Sequence, residues 1–277
     1  MAQNKNKLFK ELLKIAKKIR KDTLTISYNA NVGHIGSALS IVDILTVLYF
    51  AILNVDANKK YSKQRDRFIL SKGHAAAALY SILFRKNFIS KSALYTFCKN
   101  GGIFGVHPDY NLAYGIELTT GSLGNGIAVG AGMALSFKDS KENKIPRVYV
   151  LVSDAELNEG SVWESIMFAA HHNIYNLITI VDDNSQQAFG KTKDVLDIKP
   201  LENKWSSFGW NTLSIDGHDI GQIYNALQIA KNTKEKPTVI IAKTQLGKGV
   251  SFMEGKVDWH YLPVNKTLYK LALRKLD

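Results

Sequence analysis

The strongest constraint on the fold is a pair of short apolar runs, residues 147–153 and 177–182, on either side of a segment of helical length at 159–172. Both runs are rich in apolar residues, and the first holds β-branched Val148 and Val152. Runs of this length and composition are typical of strands that are buried on both faces. Strand, helix and strand in this order form a βαβ unit, so the sequence predicts a parallel sheet covered by helices on both faces.

The same alternation continues along the chain. Further strands are predicted at 212–215 and 238–242, and helices at 7–28, 41–53, 75–84, 124–137 and 220–231, with a short basic helix at 266–277. No internal repeat, low-complexity segment or linker interrupts the pattern. We therefore predict an α/β fold with a mostly parallel central sheet. We also predict a single domain over residues 1–277, in which the first 110 residues wrap part of the sheet.

Composition narrows the class of protein. Of the 277 residues 45% are hydrophobic, enough for a large core. No apolar run reaches the roughly 18 residues that a membrane span needs, and the Lys- and Asn-rich start is unlike a signal peptide. We therefore expect a cytoplasmic protein that does not bind membranes. The single cysteine, Cys98, excludes an internal disulfide and argues against a cysteine-based metal site.

The formal net charge of +12 is compatible with nucleic acid or with anionic small molecules as ligands. The lysines are scattered, however, and the densest run, at 14–21, is interleaved with apolar residues at helical spacing. That arrangement is typical of a solvated helix face. No zinc-finger spacing or RNA-recognition signature accompanies it, so we expect no nucleic-acid partner.

Polar turns follow the two apolar runs. Asp154 comes directly after the first run and Asn184 follows the second. Adjacent parallel strands would bring these turns together at the carboxyl edge of the sheet, where ligands bind. A carboxylate and an amide oxygen suit Mg²⁺, which usually also takes phosphate oxygens, and the small residues before the helix at 159 would offer backbone N–H groups to a phosphate. These residues could therefore form a magnesium-diphosphate site. The alternative is that Asp154 and Asn184 only cap helices and turns.

Short motifs along the chain carry a more specific signal. They lie at 33–37, 71–74, 105–108, 119–126, 159–164, 216–219, 243–244, 247–249 and 259–260. The strand followed by Asp154, then Glu159 and Gly160 before a helix, then a second strand that ends in Asp183 and Asn184, resembles the motif of thiamine-diphosphate-binding proteins. In the joint order of these motifs the chain resembles the transketolases over nearly its whole length. The resemblance implies a thiamine-diphosphate-binding fold.

The resemblance also implies the cofactor contacts. Asp154, the Asn184 side chain and the Gln186 backbone carbonyl would ligate Mg²⁺, and His74 and the Ala155 backbone would contact the diphosphate of thiamine diphosphate. The cofactor rings would lie against a loop of three residues, of which the last packs on the thiazolium: Gly121, Ser122 and Leu123.

Histidines would line the substrate channel. By the resemblance these are His34, His107 and His260, with His34 and His260 also near the diphosphate. Histidines in turns offer donors and proton shuttles near neutral pH, which suits substrates rich in hydroxyls and carbonyls. Glu159 would lie at a dimer interface and couple to the glutamate that protonates the aminopyrimidine. We expect structural roles for the other histidines of this region, which are His171, His172 and His218.

The chain departs from the transketolase pattern at three points. Ser153 and Ala155 flank Asp154, where the family usually has glycines, and Ala155 would cost about 1 kcal/mol if its φ were positive. Tyr261 replaces a common glycine after the channel histidine, which would narrow the channel or change the acceptor. The chain is also about half as long as a single-chain transketolase. By the resemblance, we expect it to lack the pyrimidine-binding domain that carries the catalytic glutamate in this family.

We therefore expect the N-terminal subunit of a split transketolase. Its cofactor would act as an ylid that takes a two-carbon unit from a ketose or ketose phosphate and passes it to an aldose. The chain would self-associate and work only in a heterotetramer with a C-terminal transketolase subunit. Two alternatives stay open: a specialised pathway, such as modification of a nucleotide-linked sugar, and a non-catalytic subunit that only binds its partner.

Overall fold

The computed structural model describes residues 2–138 and 145–276. Its strands are β1 (Arg67–Leu70), β2 (Val148–Ser153), β3 (Leu177–Asp183), β4 (Gln186–Gln187), β5 (Gly190–Lys191), β6 (Asn211–Asp216) and β7 (Thr238–Lys243). Five of them form one parallel sheet in the order β1, β2, β3, β7, β6. The other two, β4 and β5, pair as a short antiparallel hairpin.

Helices cover both faces of the sheet. They are α1 (Ala2–Ala30), α2 (Ile35–Ser40), α3 (Val42–Val47), α4 (Ala76–Arg85), α5 (Lys91–Leu94), α6 (Asn125–Lys138), α7 (Gly160–His171), α8 (Thr192–Val195), α9 (Leu201–Ser207), α10 (Ile220–Asn232) and α11 (Lys266–Lys275). A single π-helical turn, Leu48–Ile52, continues α3. No helix among the described residues is long and apolar enough to cross a bilayer. The cytoplasmic location stays a prediction.

The side chains of the central strands alternate between two cores. In β2, Val150 and Val152 belong to the core formed with α6, α7 and α9. Tyr149 and Leu151 point the opposite way, into the core formed with α1, α3, α4 and α10. Because helices cover both faces, every residue of β2 is buried. This explains why the strand reads as an unbroken apolar run.

The predicted α/β class with a parallel sheet is confirmed, as are the predicted strands and long helices, with boundaries that shift by a few residues. Two predictions were incomplete. The region before residue 110 contributes edge strand β1 to the sheet, besides the helices that wrap it. The predicted helix at 41–53 is α3 followed by the π-helical turn. The predicted basic helix is α11, although residue 277 lies outside the described residues.

The segment after β7 folds back over α2 and thereby builds one wall of the site. Met253 and Trp259 are buried in a small core with Ile35 and Leu39 of α2. The contact is so close that a Cβ on Gly33 would lie 2.1 Å from the Tyr261 carbonyl oxygen. Glycine is therefore required there, and the packing brings the residues around positions 34 and 260 together.

Candidate active site

A cavity of about 400 Å³ lies at the carboxyl ends of β2 and β3. The register pairs Ser153 with Asp182, and the Asp154 N–H donates to the Asp182 carbonyl oxygen at 3.1 Å. The two polar turns therefore meet, as the sequence predicts, at the edge where parallel sheets bind ligands. All but two of the predicted site residues line this cavity. The exceptions are Ser122, which is exposed, and Asp154, which is fully buried.

A second, open cleft of about 760 Å³ adjoins the cavity. It is lined by residues of β6, β7 and the loops that follow them, such as Asp216, Lys243 and Gln245. Of the predicted site residues, all of which lie in the described part of the chain, this cleft includes Asn184 alone. The smaller cavity is therefore the candidate site.

Asp154 is held rigidly by three hydrogen bonds. Its Oδ1 accepts the Ala155 N–H at 2.9 Å, and its Oδ2 accepts the Ser185 N–H at 2.9 Å and the Thr192 hydroxyl at 2.8 Å. Burial raises the pKa of Asp154 to about 7, because desolvation of the carboxylate outweighs these hydrogen bonds. A bound cation would remove this penalty.

Asn184 presents its amide in one orientation. Its Nδ2 donates to Asp182 Oδ2 at 2.9 Å, and its Oδ1 accepts the Gln186 N–H at 2.9 Å. Among the described residues no group of three His, Cys, Asp or Glu side chains could hold a metal ion. A cation here would depend on mixed oxygen ligands, of the kind that the carboxylate of Asp154 and the amide of Asn184 offer.

Three histidines form a triangle in the cavity. The ring centroids of His34, His74 and His260 lie 5.2 to 5.4 Å apart. Burial lowers the pKa of all three side chains, that of His260 to about 4 and that of His74 well below its ordinary value. Their mutual repulsion and the nearby Lys72 act in the same direction. The three rings are therefore neutral at physiological pH.

His107 and the loop at 121–123 close another side of the cavity. A Cβ on Gly121 would lie 3.1 Å from the Cδ2 atom of His107, so a side chain at position 121 would crowd the ring. Leu123 lines the cavity and is half-buried. Ser122 points away from the cavity lining and is exposed.

Ala155 does not carry the strain considered in the sequence analysis. It begins a 3-10 turn, Ala155–Asn158, and its φ is not positive. The backbone penalty of about 1 kcal/mol therefore does not apply. Tyr261, in contrast, lies at a position where its side chain can narrow the channel. Its ring lines the cavity, 5.0 Å from the His260 ring and 5.6 Å from the His34 ring.

Two acidic residues shortly before α7, Glu159 and Glu156, have opposite surroundings. Glu159 lines the mouth of the cavity, is exposed and precedes α7. Next to it, Glu156 is fully buried and accepts hydrogen bonds from the Gly124 N–H at 2.8 Å and from the Ser71 hydroxyl. Glu156 thus joins the ends of β1 and β2 to the loop before α6. Neither its acidity nor its spacing singled it out in the sequence.

The remaining three histidines lie outside the cavity. His218 Nε2 accepts the Gln245 N–H at 2.9 Å, so its Nδ1 is the atom that donates to Asp43 Oδ2, also at 2.9 Å. It joins two loops to α3 and does not line the cavity. His171 and His172 lie at the end of α7, with ring centroids 4.9 Å apart, and are exposed.

Comparison with known proteins connects this geometry to one family. A family model described as the transketolase thiamine diphosphate binding domain matches residues 12–275. The chain is 39% identical over 260 residues to a 6-deoxy-6-sulfo-D-fructose transketolase subunit from a Clostridium species, with 94% of each chain covered. It is 38% identical over 262 residues to an apulose-4-phosphate transketolase subunit from Phocaeicola vulgatus, covering 95% of this chain and 92% of that one.

A solved structure gives the same result. The transketolase from Campylobacter jejuni matches with a TM-score of 0.87 and 29% identity, over 98% of this chain and 43% of that chain. The chain thus has the length of the transketolase subunits that it matches. It spans less than half of the single-chain enzyme.

Proposed function

Because this chain belongs to the transketolase family, through its thiamine diphosphate-binding domain, we propose that it is the N-terminal subunit of a two-component enzyme. The reaction is the transfer of a two-carbon ketol unit from a ketose to an aldose. One observation carries the proposal. The triangle of His34, His74 and His260 converges with the Asp154 and Asn184 turns on one cavity.

The residues present fit a diphosphate. The Nδ1 atoms of His34 and His260 are buried and have no hydrogen-bond partner in the part of the chain that the structure describes. Unpartnered polar atoms beside a cavity indicate a ligand that completes them. His74 and the Ala155 backbone would hold the diphosphate, and Gly121 and Leu123, which line the cavity, would lie against the rings. When bound, thiamine diphosphate supplies the carbanion chemistry of the reaction.

Magnesium is the cation that the turns favour. The Asp154 carboxylate, the Asn184 amide oxygen and the Gln186 carbonyl would ligate it, together with diphosphate oxygens. The raised pKa of Asp154 supports a bound cation, because a positive charge would offset the cost of the buried carboxylate. Binding would therefore release a proton near neutral pH.

The neutral histidines are suited to a polar substrate. A neutral imidazole donates at one nitrogen and accepts at the other, so His34 and His260 can hold hydroxyl groups and pass a proton to a developing alkoxide. His107 lines the same cavity and would contact the same substrate. The side chains that line the cavity, all of them in the described residues, include no lysine or arginine. A phosphate on the sugar would thus be bound by groups of a second chain.

A second chain would also cover exposed apolar side chains. Helices α6 and α7 pack side by side and expose Val129, Met167 and Phe168, and Phe189 is exposed at the mouth of the cavity. Surfaces of this kind mark interfaces. We place self-association on α6 and α7. The pyrimidine-binding subunit would meet Glu159 and Phe189, in a heterotetramer of two copies of each.

The two relatives named above act on different sugars, so the substrate of this chain could also be an unusual sugar. They are transketolase subunits for 6-deoxy-6-sulfo-D-fructose and for apulose 4-phosphate, which are different sugars. Tyr261 in the channel favours an acceptor that differs from the usual ones, so a specialised sugar pathway is the second candidate.

The decisive experiment compares this chain alone with its complex with a C-terminal transketolase subunit. We expect transfer from ketose to aldose by the complex, and a rate at least about a thousandfold lower for the chain alone, because by this proposal the partner supplies the base that activates the cofactor. His107→Ala should lower transfer by the complex. Equal rates with and without the partner would refute the two-component enzyme. An unimpaired His107→Ala complex would favour a non-catalytic subunit.

A further inference from the structure

A buried lysine lies behind the cavity and donates its hydrogen bonds to two neighbours. Lys72 follows β1 and is fully buried. Its Nζ donates to Asp182 Oδ2 at 2.5 Å, to the Ser37 carbonyl oxygen at 3.0 Å and to Ser37 Oγ at 2.9 Å. Ser40 Oγ lies farther from the same nitrogen, at 3.4 Å, so the three protons of the ammonium group go to the three shorter contacts. Each of the two neighbours contacts a residue that lines the cavity.

The first neighbour orients an amide. Asp182 is buried and accepts the Asn184 Nδ2–H at 2.9 Å on the oxygen that Lys72 also contacts. The Lys72 Nζ, 2.5 Å away, forms a fully buried ion pair with this carboxylate. A carboxylate only accepts hydrogen bonds, so it must face the NH₂ group of Asn184. The amide oxygen is thereby left on the side of Gln186 and the cavity.

The second neighbour selects a tautomer. Ser37 Oγ lies 2.9 Å from His74 Nε2 and accepts a hydrogen bond from the Lys72 Nζ–H group. The hydrogen bond from the lysine polarises the serine hydroxyl and makes it a better donor. The Ser37 hydroxyl therefore donates its own hydrogen bond to His74 Nε2. Since Nε2 accepts, the ring proton of neutral His74 is on Nδ1. Within residues 2–138 and 145–276, His74 Nδ1 has no hydrogen-bond partner, and the ring lines the cavity.

We propose that Lys72 and Asp182 are a positioning pair that fixes the amide orientation of Asn184 and the Nδ1–H tautomer of His74. The cavity thereby presents an oxygen to a divalent cation and an N–H group to a diphosphate. The ligands in this inference rest on the function proposed above, whereas the two hydrogen-bond chains do not depend on it.

A purely structural ion pair would have a different signature. If Lys72 and Asp182 only stabilised the fold, replacing both by apolar side chains of similar volume would leave the site as it is. The double variant Lys72→Met/Asp182→Leu leaves no unpaired buried charge, so it tests the site with little cost to folding. Thr244→Val is the matched control. It removes a hydrogen bond to the other oxygen of Asp182 and touches neither chain of hydrogen bonds.

The tautomer is read from long-range ¹H–¹⁵N correlation spectra of the full chain, in which the His74 signals are identified by their loss in His74→Gln. We expect Nδ1 to be protonated in the wild type and in Thr244→Val. We expect a mixture of tautomers in Ser37→Ala, which leaves the ion pair intact, and in the double variant. Protonation of Nε2 in the wild type, or an unchanged tautomer in Ser37→Ala, would overturn the His74 part.

The amide orientation is read from the Mg²⁺ concentration that gives half-maximal thiamine diphosphate binding to the complex, measured by calorimetry. We expect it to rise about tenfold or more in the double variant, as for other groups that orient metal ligands, and less than about twofold in Thr244→Val. A folded double variant with wild-type Mg²⁺ dependence would overturn the Asn184 part. Should the wild-type complex bind no cofactor, the proposed function fails, while the tautomer measurement still decides this inference.

Discussion

The floor and the rim of the cavity are built in opposite ways. The floor, which we define as Lys72, Asp154, Glu156 and Asp182, is buried, and every one of these charged side chains has hydrogen-bond partners within the chain. The rim, defined as Glu159, Phe189 and Tyr261, is exposed, with Phe189 87% accessible. Under the proposed function, the buried floor is the part of the site that this chain supplies for the cofactor, and the exposed rim is the part that a second chain would cover.

The sharpest test of the floor is to break its ion pair. Lys72→Met leaves the Asp182 carboxylate buried without its cation, which should destabilise the isolated chain by about 3–5 kcal/mol. Glu159→Gln on the rim should change stability by less than about 0.5 kcal/mol, because its side chain is exposed. Urea denaturation of both variants gives the comparison. If Glu159→Gln lowered the free energy of unfolding as much as Lys72→Met, the distinction between a buried floor and an exposed rim would be refuted.

The next largest effect is expected at Asp154. Asp154→Ala should weaken Mg²⁺-dependent thiamine diphosphate binding by the complex about 100-fold, or about 2.7 kcal/mol. In the wild type this binding should also weaken as the pH falls below 7, since a proton competes for the carboxylate. Asp194→Ala, an exposed aspartate in α8, is the control. Calorimetric titration that shows unchanged binding in Asp154→Ala would contradict the assignment.

The histidines between floor and rim predict a pH effect. Burial lowers the pKa of His260 to about 4, so between pH 6.5 and 4 the unfolded chain binds a proton that the folded chain does not. Stability from this group is therefore present above pH 6.5 and lost as the pH falls. From pH 7 to pH 5 the wild type should lose about 2 kcal/mol relative to His260→Asn.

This prediction is checked by urea midpoints of the isolated chain and of His260→Asn at both pH values. The difference between the two proteins is the quantity to follow, because Asp154 acts in the opposite direction. Its raised pKa adds stability as the pH falls. A difference that does not change with pH would mean that His260 is solvated.

A charge introduced on the exposed side of α7 should weaken self-association and leave the buried floor unchanged. Met167→Glu introduces a carboxylate on exposed α7 and should weaken self-association about tenfold, or 1.4 kcal/mol. Ile229→Glu is the matched control, because Ile229 is similarly exposed on α10, which belongs to the other core. Analytical ultracentrifugation measures both. Equal weakening by the two variants would remove α7 from the interface.

The same contrast explains how much the sequence could predict. The apolar runs of β2 and β3 indicated the sheet, because strands covered on both faces are mostly apolar, with polar side chains such as Asp182 at their carboxyl ends. Motif order indicated Glu159, the position of Tyr261 and the cavity histidines, but not Phe189. The sequence could not indicate Glu156 or the pairing of Lys72 with Asp182, since these contacts join residues 32 and 110 positions apart and depend on the packing of β1 against β2.

The smallest effect is expected at Ala155, where the family usually has glycine but the backbone of this chain does not require one. A glycine at this position would matter if the backbone had a positive φ, but Ala155 begins a 3-10 turn with ordinary dihedral angles. Ala155→Gly should therefore change cofactor affinity by less than about threefold, or ~0.7 kcal/mol, and lower stability by about 0.5–1 kcal/mol through added freedom of the unfolded chain. Calorimetry and urea denaturation measure the two effects. A tenfold gain in affinity would show that the Cβ crowds the diphosphate, and a tenfold loss that it packs against the ligand.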